Sequence, residues 1–316
     1  MANNITSWLT KGPVESVMPA FDRCTLPTLK VCYICIRIIF RLCLGKRRRN
    51  QSQLYRRLYV GDNIIPSYNV LKFFYKSIKF LKLGNPRLVK VYSKEHDYKY
   101  YCTLEDFNPD REEDIVKQFH PKEGDIVVDV GAHIGKYSII ASKMVGSKGK
   151  VIAIEAHPVN YDILKQNIVI NKLSNVIALN CAVHSTETLV KLYEPGQEEG
   201  FTIYNTIMTD RISLNNQKYV EVKAYTLDSL LFENGIKEVN WIKIDVEGAE
   251  YEVLKGATKI LSSSKDISLL IEIHNVGANN KTFYEPIIHL LKSKNYKISF
   301  EKIYGTGERH IIMKKV

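Results

Sequence analysis

The chain has no uninterrupted apolar run long enough to cross a bilayer, no Gly-Lys-Ser/Thr closing a phosphate loop, and no Gly-x-Gly-x-x-Gly. The first absence argues against a membrane span, which needs about 20 apolar residues. The second excludes a P-loop, and the third weakens a nicotinamide reading. Cysteines number six in 316 residues, and four of them crowd into residues 24–43. Cys32 and Cys35 form a C-x-x-C, but no second Cys pair or His pair follows at zinc spacing, so they read as small apolar residues on a helix. No cleavable secretory signal is visible, which gives a reducing, cytoplasmic compartment as the expectation. There is no internal repeat. Acid is nearly missing from residues 1–90, which hold 3 Asp or Glu against 17 Lys or Arg. The other 226 residues hold 31 against 28, so the formal charge of +11 belongs to the N-terminal part. Such asymmetry suits an anionic partner, either membrane or nucleic acid.

What is present divides the chain into three. Residues 1–28, with Pro13, Pro19 and Pro27 among polar residues, read as a flexible leader. Residues 29–90 read as a basic, aromatic-rich helical extension. Within it, LKVCYICIRIIFRLCL (29–44) places Lys30, Arg37 and Arg41 on one stripe of an apolar helix and runs into Lys46-Arg47-Arg48-Arg49. Sixteen residues with internal arginines are short for a span. They suit peripheral contact of residues 29–49 with a membrane surface, or a helix packed on the catalytic domain. Basic residues interleaved with aromatics in 50–90 also suit nucleic acid, but no RNP or G-x-x-G signature accompanies them.

From residue 91 onward, short apolar runs alternate with amphipathic stretches. Strands are expected at 126–130, 150–155, 176–180, 241–245 and 267–274. Helices are expected at 137–145, 158–171, 249–261 and in a segment ending at 291. Residues 181–225 are expected to hold hairpin strands, and 296–302 with 310–314 a closing antiparallel pair. Strands alternating with helices give a mostly parallel sheet covered on both faces.

The chemistry sits at the strand ends. The first strand leads into Asp129-Val130-Gly131-Ala132-His133-Ile134-Gly135. The glycines let the backbone approach a ligand and start the next helix. One acid before the turn suits a ligand with a positive amino group rather than a pyrophosphate; S-adenosylmethionine carries an ammonium and a sulfonium. The second strand ends in Glu155, placed to accept two ribose hydroxyls. Cys181 and Ala182 follow the third strand and leave room for an adenine. The fourth leads into Asp245-Val246-Glu247-Gly248-Ala249-Glu250, and the fifth ends in Glu272-Ile273-His274. A His beside acids at such an edge is a candidate general base.

DVGAHIGKYSIIASK, VIAIEAHPVNYDILKQNIVIN, TLDSLL, IKIDVEGAEYEVLKGA and LLIEIH occur in this order. Together they resemble the FkbM family of S-adenosylmethionine-dependent methyltransferases, over roughly residues 120–275. IDVEGAE is the most distinctive piece. His133 departs from the Asn frequent at that position in the family. The resemblance implies an α/β fold with a Rossmann-like, seven-stranded class I methyltransferase sheet, and O-methylation of a hydroxyl on a sugar or natural product.

The resulting expectation is an O-methyltransferase. Asp129, Gly131, His133 and Gly135 surround the methionine part of S-adenosylmethionine, Glu155 and Ala156 the ribose, and Cys181 and Ala182 the adenine. Asp245 borders both cofactor and acceptor, and Asp245, Glu247 and His274 are the catalytic set, with His274 as base. No metal is expected; a divalent ion on Asp245 and Glu247 is the lesser alternative. The acceptor is a small molecule or glycan. Rival readings are an RNA methyltransferase, against which the missing Asn-Pro-Pro-Tyr speaks, and a non-catalytic membrane-associated module.

Overall fold

The computed structural model describes residues 57–59, 88–93, 98–102, 112–193, 219–276, 281–304 and 307–316. By its contacts the chain divides into two units, Met1–Leu58 with Ile65–Pro86, and Tyr59–Ile64 with Arg87–Val316. The leader and the stretch 29–56, including the expected basic helix, lie outside the described residues. The parts of 29–90 that are described are extended: β1 (Arg57–Tyr59) and the start of β2 (Leu88–Ser93). The alternation in LVKVYS, with its β-branched and aromatic residues, favours a strand over the expected helix there. β2 pairs antiparallel with β3 (Tyr98–Cys102).

A short helix, α1 (Glu113–Val116), precedes the central sheet. Then follow β4 (Ile126–Val130), α2 (Lys136–Val145), β5 (Lys150–Ile154), α3 (Pro158–Ile170) and β6 (Val176–Leu179). β7 (Ala182–Val183), β8 (Thr188–Tyr193) and β9 (Tyr219–Tyr225) form a small sheet of their own in the order β7-β9-β8. α4 (Leu227–Glu233), β10 (Trp241–Ile244), α5 (Glu250–Lys255), α6 (Thr258–Ser263) and β11 (Ser268–Ile273) continue the alternation. β12 (Asn275–Val276) and β13 (Lys281–Thr282) make a small ribbon before α7 (Tyr284–Lys292), β14 (Tyr296–Ile303) and β15 (Arg309–Lys315).

The central sheet has seven strands in the order β14-β15-β11-β10-β4-β5-β6. Pairs among β11, β10, β4, β5 and β6 are parallel, and β15 pairs antiparallel with both neighbours. This is the Rossmann-like sheet with a C-terminal antiparallel pair. β4 and β5 are buried almost throughout, as expected of strands covered on both faces. The main core joins Val128, Ile152, Ile242 and Leu269 of the sheet to Leu227, Leu254, Leu261 and Leu291 of the helices.

Successive strands run outward from β4 through β5 to β6, and on the other side from β10 to β11. The reversal therefore falls between β4 and β10, and beyond the carboxyl ends of these strands a ligand crevice forms.

The expected single helix over 249–261 is two helices. At Gly256, an added Cβ would lie 2.2 Å from the carbonyl oxygen of His184, so the chain passes close to another backbone there. The carboxylate of Asp228 then accepts the Lys259 and Ile260 amides at 2.8 and 2.9 Å and caps the second helix.

Candidate active site

The turn after β4 is built by backbone bonds. Gly131 and Ala132 amides donate to Ile154 O, and the Asp245 amide donates to Val130 O. Gly131 has φ +76°, and a Cβ on it would stand 1.8 Å from Asp245 O. Only glycine lets the ends of β4 and β10 approach this closely. Buried Asn167 of α3 ties the turn down. Its amide nitrogen donates to Ile134 O at 2.7 Å and Tyr101 O at 3.1 Å, and its oxygen accepts from Tyr101 N at 2.6 Å.

A cavity open to solvent lies over this turn. Its wall includes Gly131, His133, Ile134, Glu155, Ala156, Cys181, Ala182, Lys243, Asp245, Glu247 and Glu272. At one end Glu155 is fixed by two amides, His133 N to Oε2 at 2.8 Å and His157 N to Oε1 at 2.9 Å. Burial raises its carboxyl, against the histidines and amides that favour the charge. Cys181, Ala182, Val183 and Leu192 make an apolar slot beside it. Burial, with a smaller effect of Glu233, pushes the Cys181 thiol up to about 12.

Away from Glu155, four carboxylates line the cavity: Asp245, Glu247 and Glu272, with Glu112 beside Tyr137. Beneath them Lys243 of β10 donates to Asp245 Oδ2 at 2.9 Å, lies 3.7 Å from Asp129 Oδ1 and sits over the Tyr137 ring. Burial works against the ammonium, but Asp245 and Asp129 outweigh it and hold Lys243 charged. Burial works against the Asp245 carboxylate too, yet Lys243 and His274 hold it at about 2. Glu272 is raised by burial and by Asp245, against an ion pair with His310 at 3.0 Å.

His274, 3% exposed, stands behind this wall. Its Nδ1 lies 2.7 Å from Glu250 Oε1, and Nε2 lies 3.5 Å from Glu247, 3.6 Å from Glu272 and 3.9 Å from Asp245. Burial opposes its charge, but Glu250 first and then Glu247 and Asp245 raise it to about 10. These acids favour the charged form of the ring, which weighs against the expected role of His274 as a base.

The structure thus gathers Gly131, His133, Glu155, Ala156, Cys181, Ala182, Asp245 and Glu247 around one cavity. Asp129 and Gly135 do not reach it. Asp129 is 1% exposed and accepts from Ser138 Oγ at 2.6 Å, so it anchors the start of α2 rather than facing a ligand. A Cβ on Gly135 would meet Leu164 at 2.6 Å, which makes it a packing position between α2 and α3. Lys243 and Tyr137 were not singled out by the sequence, while Glu250 and Glu272 were noted only as neighbours of the catalytic set. Lys243 carried a signal in hindsight, as a lysine inside a buried strand that leads into acids.

A family model described as the methyltransferase FkbM domain matches residues 129–298, more than half of the chain. The chain belongs to this family. Methyltransferase sdnD of Sordaria araneosa is 32% identical over 154 residues, covering 41% of this chain and 59% of that protein. Hexuronic acid methyltransferase AglP of Haloferax volcanii is 29% identical over 165 residues, covering 52% and 62%. The chain thus spans about three fifths of the length of these two relatives. A solved S-adenosylmethionine-dependent methyltransferase from Aquifex aeolicus aligns at 19% identity and TM-score 0.40, over 66% of this chain and 94% of the other. The FkbM match starts at Asp129, where the turn begins, and includes Glu155, Asp245, Glu247 and His274.

The cavity fits S-adenosylmethionine on its own terms. Glu155 offers carboxylate oxygens for a ribose diol, Gly131 leaves its floor without a side chain, and the slot at Cys181 and Ala182 suits a flat base. Among the described residues, no helix is long and apolar enough to cross a membrane.

Proposed function

We propose that this FkbM-family chain transfers a methyl group from S-adenosylmethionine to a hydroxyl of a sugar, glycan or related natural product. The observation that carries the reading is a single cavity with Glu155 at one end and Asp245, Glu247 and Glu272 at the other. One end suits a ribose, and the other suits a polyhydroxylated acceptor, since carboxylates accept hydrogen bonds from several hydroxyls. That AglP acts on a hexuronic acid supports a sugar-type acceptor. The rival RNA acceptor is disfavoured by the same wall, because clustered carboxylates repel a phosphate backbone.

When bound, S-adenosylmethionine supplies a methyl group already activated on a sulfonium. The protein's part is to align the acceptor oxygen with it and exclude water, and effective concentration supplies much of the rate. Glu155 and the 131–134 backbone hold the cofactor, and Lys243 keeps Asp245 ionised and aimed. Asp245 and Glu247 fix the acceptor hydroxyls, with His274 behind them. Residues 29–49 bring the chain to an anionic membrane surface in this reading, supported by the charge confined to the first 90 residues.

The test is incubation with methyl-labelled S-adenosylmethionine and separated glycan, glycolipid, RNA and protein fractions. Label in the glycan or glycolipid fraction is expected. Label confined to RNA or protein overturns the acceptor, and no cofactor binding by calorimetry overturns the enzyme. Glu155→Gln is expected to weaken cofactor binding at least tenfold, since a charged acceptor of two hydroxyls contributes about 1.5–3 kcal/mol.

A further inference from the structure

The three carboxylates around His274 Nε2 have an odd geometry for ion pairs. A ring N–H can serve one acceptor well, at about 2.7–3.2 Å. Here three oxygens stand at 3.5, 3.6 and 3.9 Å, none at that distance. They surround a point near Nε2 instead of converging on its proton.

That spacing suits an ion. Donor atoms of Asp245, Glu247 and His274 all lie within 4.8 Å of one another. Around a small divalent cation with bonds of about 2.0–2.3 Å, adjacent donors stand about 3 Å apart and opposed ones about 4–4.6 Å. Movement of a few tenths of an ångström closes the set.

The supports behind the three side chains are also those of a metal centre. A ligating imidazole gives its other nitrogen to a carboxylate, which fixes the ring. His274 Nδ1 is held in this way by Glu250, which is 0% exposed and itself accepts the Gly248 amide at 2.8 Å. Asp245 has Oδ2 occupied by Lys243 and Oδ1 facing His274. Asp245 and Glu247 line the cavity, so an ion between them faces the acceptor space.

We propose that Asp245, Glu247 and His274 hold one divalent cation at the acceptor end of the cavity, with positions left open for acceptor oxygens. One imidazole with two carboxylates suits Mn²⁺ or a similar ion better than a soft metal. This proposal departs from the expectation of no metal drawn from sequence. His274 then works through its lone pair on the ion, not as a base. The ion's role in turnover rests on the methyl-transfer reading: it lowers the pKa of a bound acceptor hydroxyl. The O–H bond breaks and its proton leaves to solvent. The oxygen pair forms the O–CH₃ bond, and the S–CH₃ pair stays on sulfur as a neutral thioether.

The experiment is titration of the full chain with Mn²⁺ alone, following loss of the free-ion electron paramagnetic resonance signal. One ion per chain at micromolar to tens-of-micromolar affinity is expected. Glu247→Gln and His274→Gln should each weaken it at least tenfold. If His274→Gln does not fold, the comparison rests on Glu247→Gln, whose side chain is 21% exposed. Mn²⁺ left free to millimolar concentration, or bound equally by folded variants, overturns the site. Calorimetry with S-adenosylmethionine in excess chelator separates the two readings. Cofactor binding without any Mn²⁺ site overturns this inference alone, and a Mn²⁺ site without cofactor binding overturns the methyltransferase reading alone.

Discussion

At the scale of single residues, Gly131 meets two demands at once: a left-handed φ of +76° and a carbonyl oxygen where its Cβ would be. Gly131→Ala must strain the turn and push β10 from β4. It is expected to destabilise the protein by about 2–4 kcal/mol and to lose cofactor binding, read by urea unfolding and calorimetry. Cys181 tests the slot beside it. A thiol pushed up to about 12 has about a thousandfold less thiolate at pH 8 than an ordinary one, so its alkylation should be slower by about that factor. Peptide mapping after iodoacetamide treatment checks it; fast labelling of Cys181 would mean that the slot is open and wet. The residue roles divide sharply in legibility. Gly131, Glu155 and Asp245 announced themselves, because a glycine turn and acids at strand ends are local signals. The pairing of Lys243 with Asp129 did not. It exists because the β10–β4 register sets these two residues opposite one another, and register between strands 114 residues apart is written nowhere locally. The same holds for Glu272 and His310, partners across β11 and β15. The direction of Asp129 is hidden for the same reason: its neighbours, not its sequence position, turn it inward to Ser138.

Elements were legible where hydrophobic period was unbroken, as in β4, β5 and α3, whose Pro158 starts the helix. The split of α5 from α6 was not, because its cause is a distant backbone. Gly256 has an ordinary φ of −79°, so alanine would normally favour the helix there. The contact with His184 O reverses the sign, and Gly256→Ala is expected to cost about 1–3 kcal/mol in thermal or urea unfolding. A gain in stability would show that the two helices can fuse. On α5, Glu252 accepts from Ser185 Oγ at 2.5 Å and from Lys255 at 3.1 Å. Burial pushes its carboxyl up, but Ser185 and Lys255 outweigh it and leave it below the ordinary value. A carboxyl lowered on folding stabilises fully above its unfolded pKa and loses that contribution as the pH falls through its folded one. Stability of the wild type should therefore decline below about pH 4.5 more steeply than that of Glu252→Gln. The difference is well under 1 kcal/mol, since the group is partly exposed.

For the whole molecule, the uneven charge separates two jobs. The part that carries the cavity is near neutrality, while residues 1–90 carry an excess of 14 positive charges. Charge so confined does not serve the acid-lined cavity, which would gain nothing from a polyanionic acceptor. In the proposed reading it serves attachment, since each Lys or Arg near an anionic leaflet contributes about 1 kcal/mol. In that reading the four consecutive cations at 46–49 together contribute about 4 kcal/mol of attraction to such a surface. The full chain is therefore expected to sediment with vesicles containing phosphatidylserine and not with neutral phosphatidylcholine vesicles. Binding should fall steeply between about 0.05 and 0.2 M salt, because screening shortens the reach of exposed charges. Replacing Lys46, Arg47, Arg48 and Arg49 by Gln should remove most of the binding and leave cofactor affinity intact, because the bonds that fix Glu155 come from the His133 and His157 amides. Equal binding to neutral and anionic vesicles would assign the attachment to apolar residues of 29–44 instead, and no binding to either would return the basic segment to a soluble anionic partner.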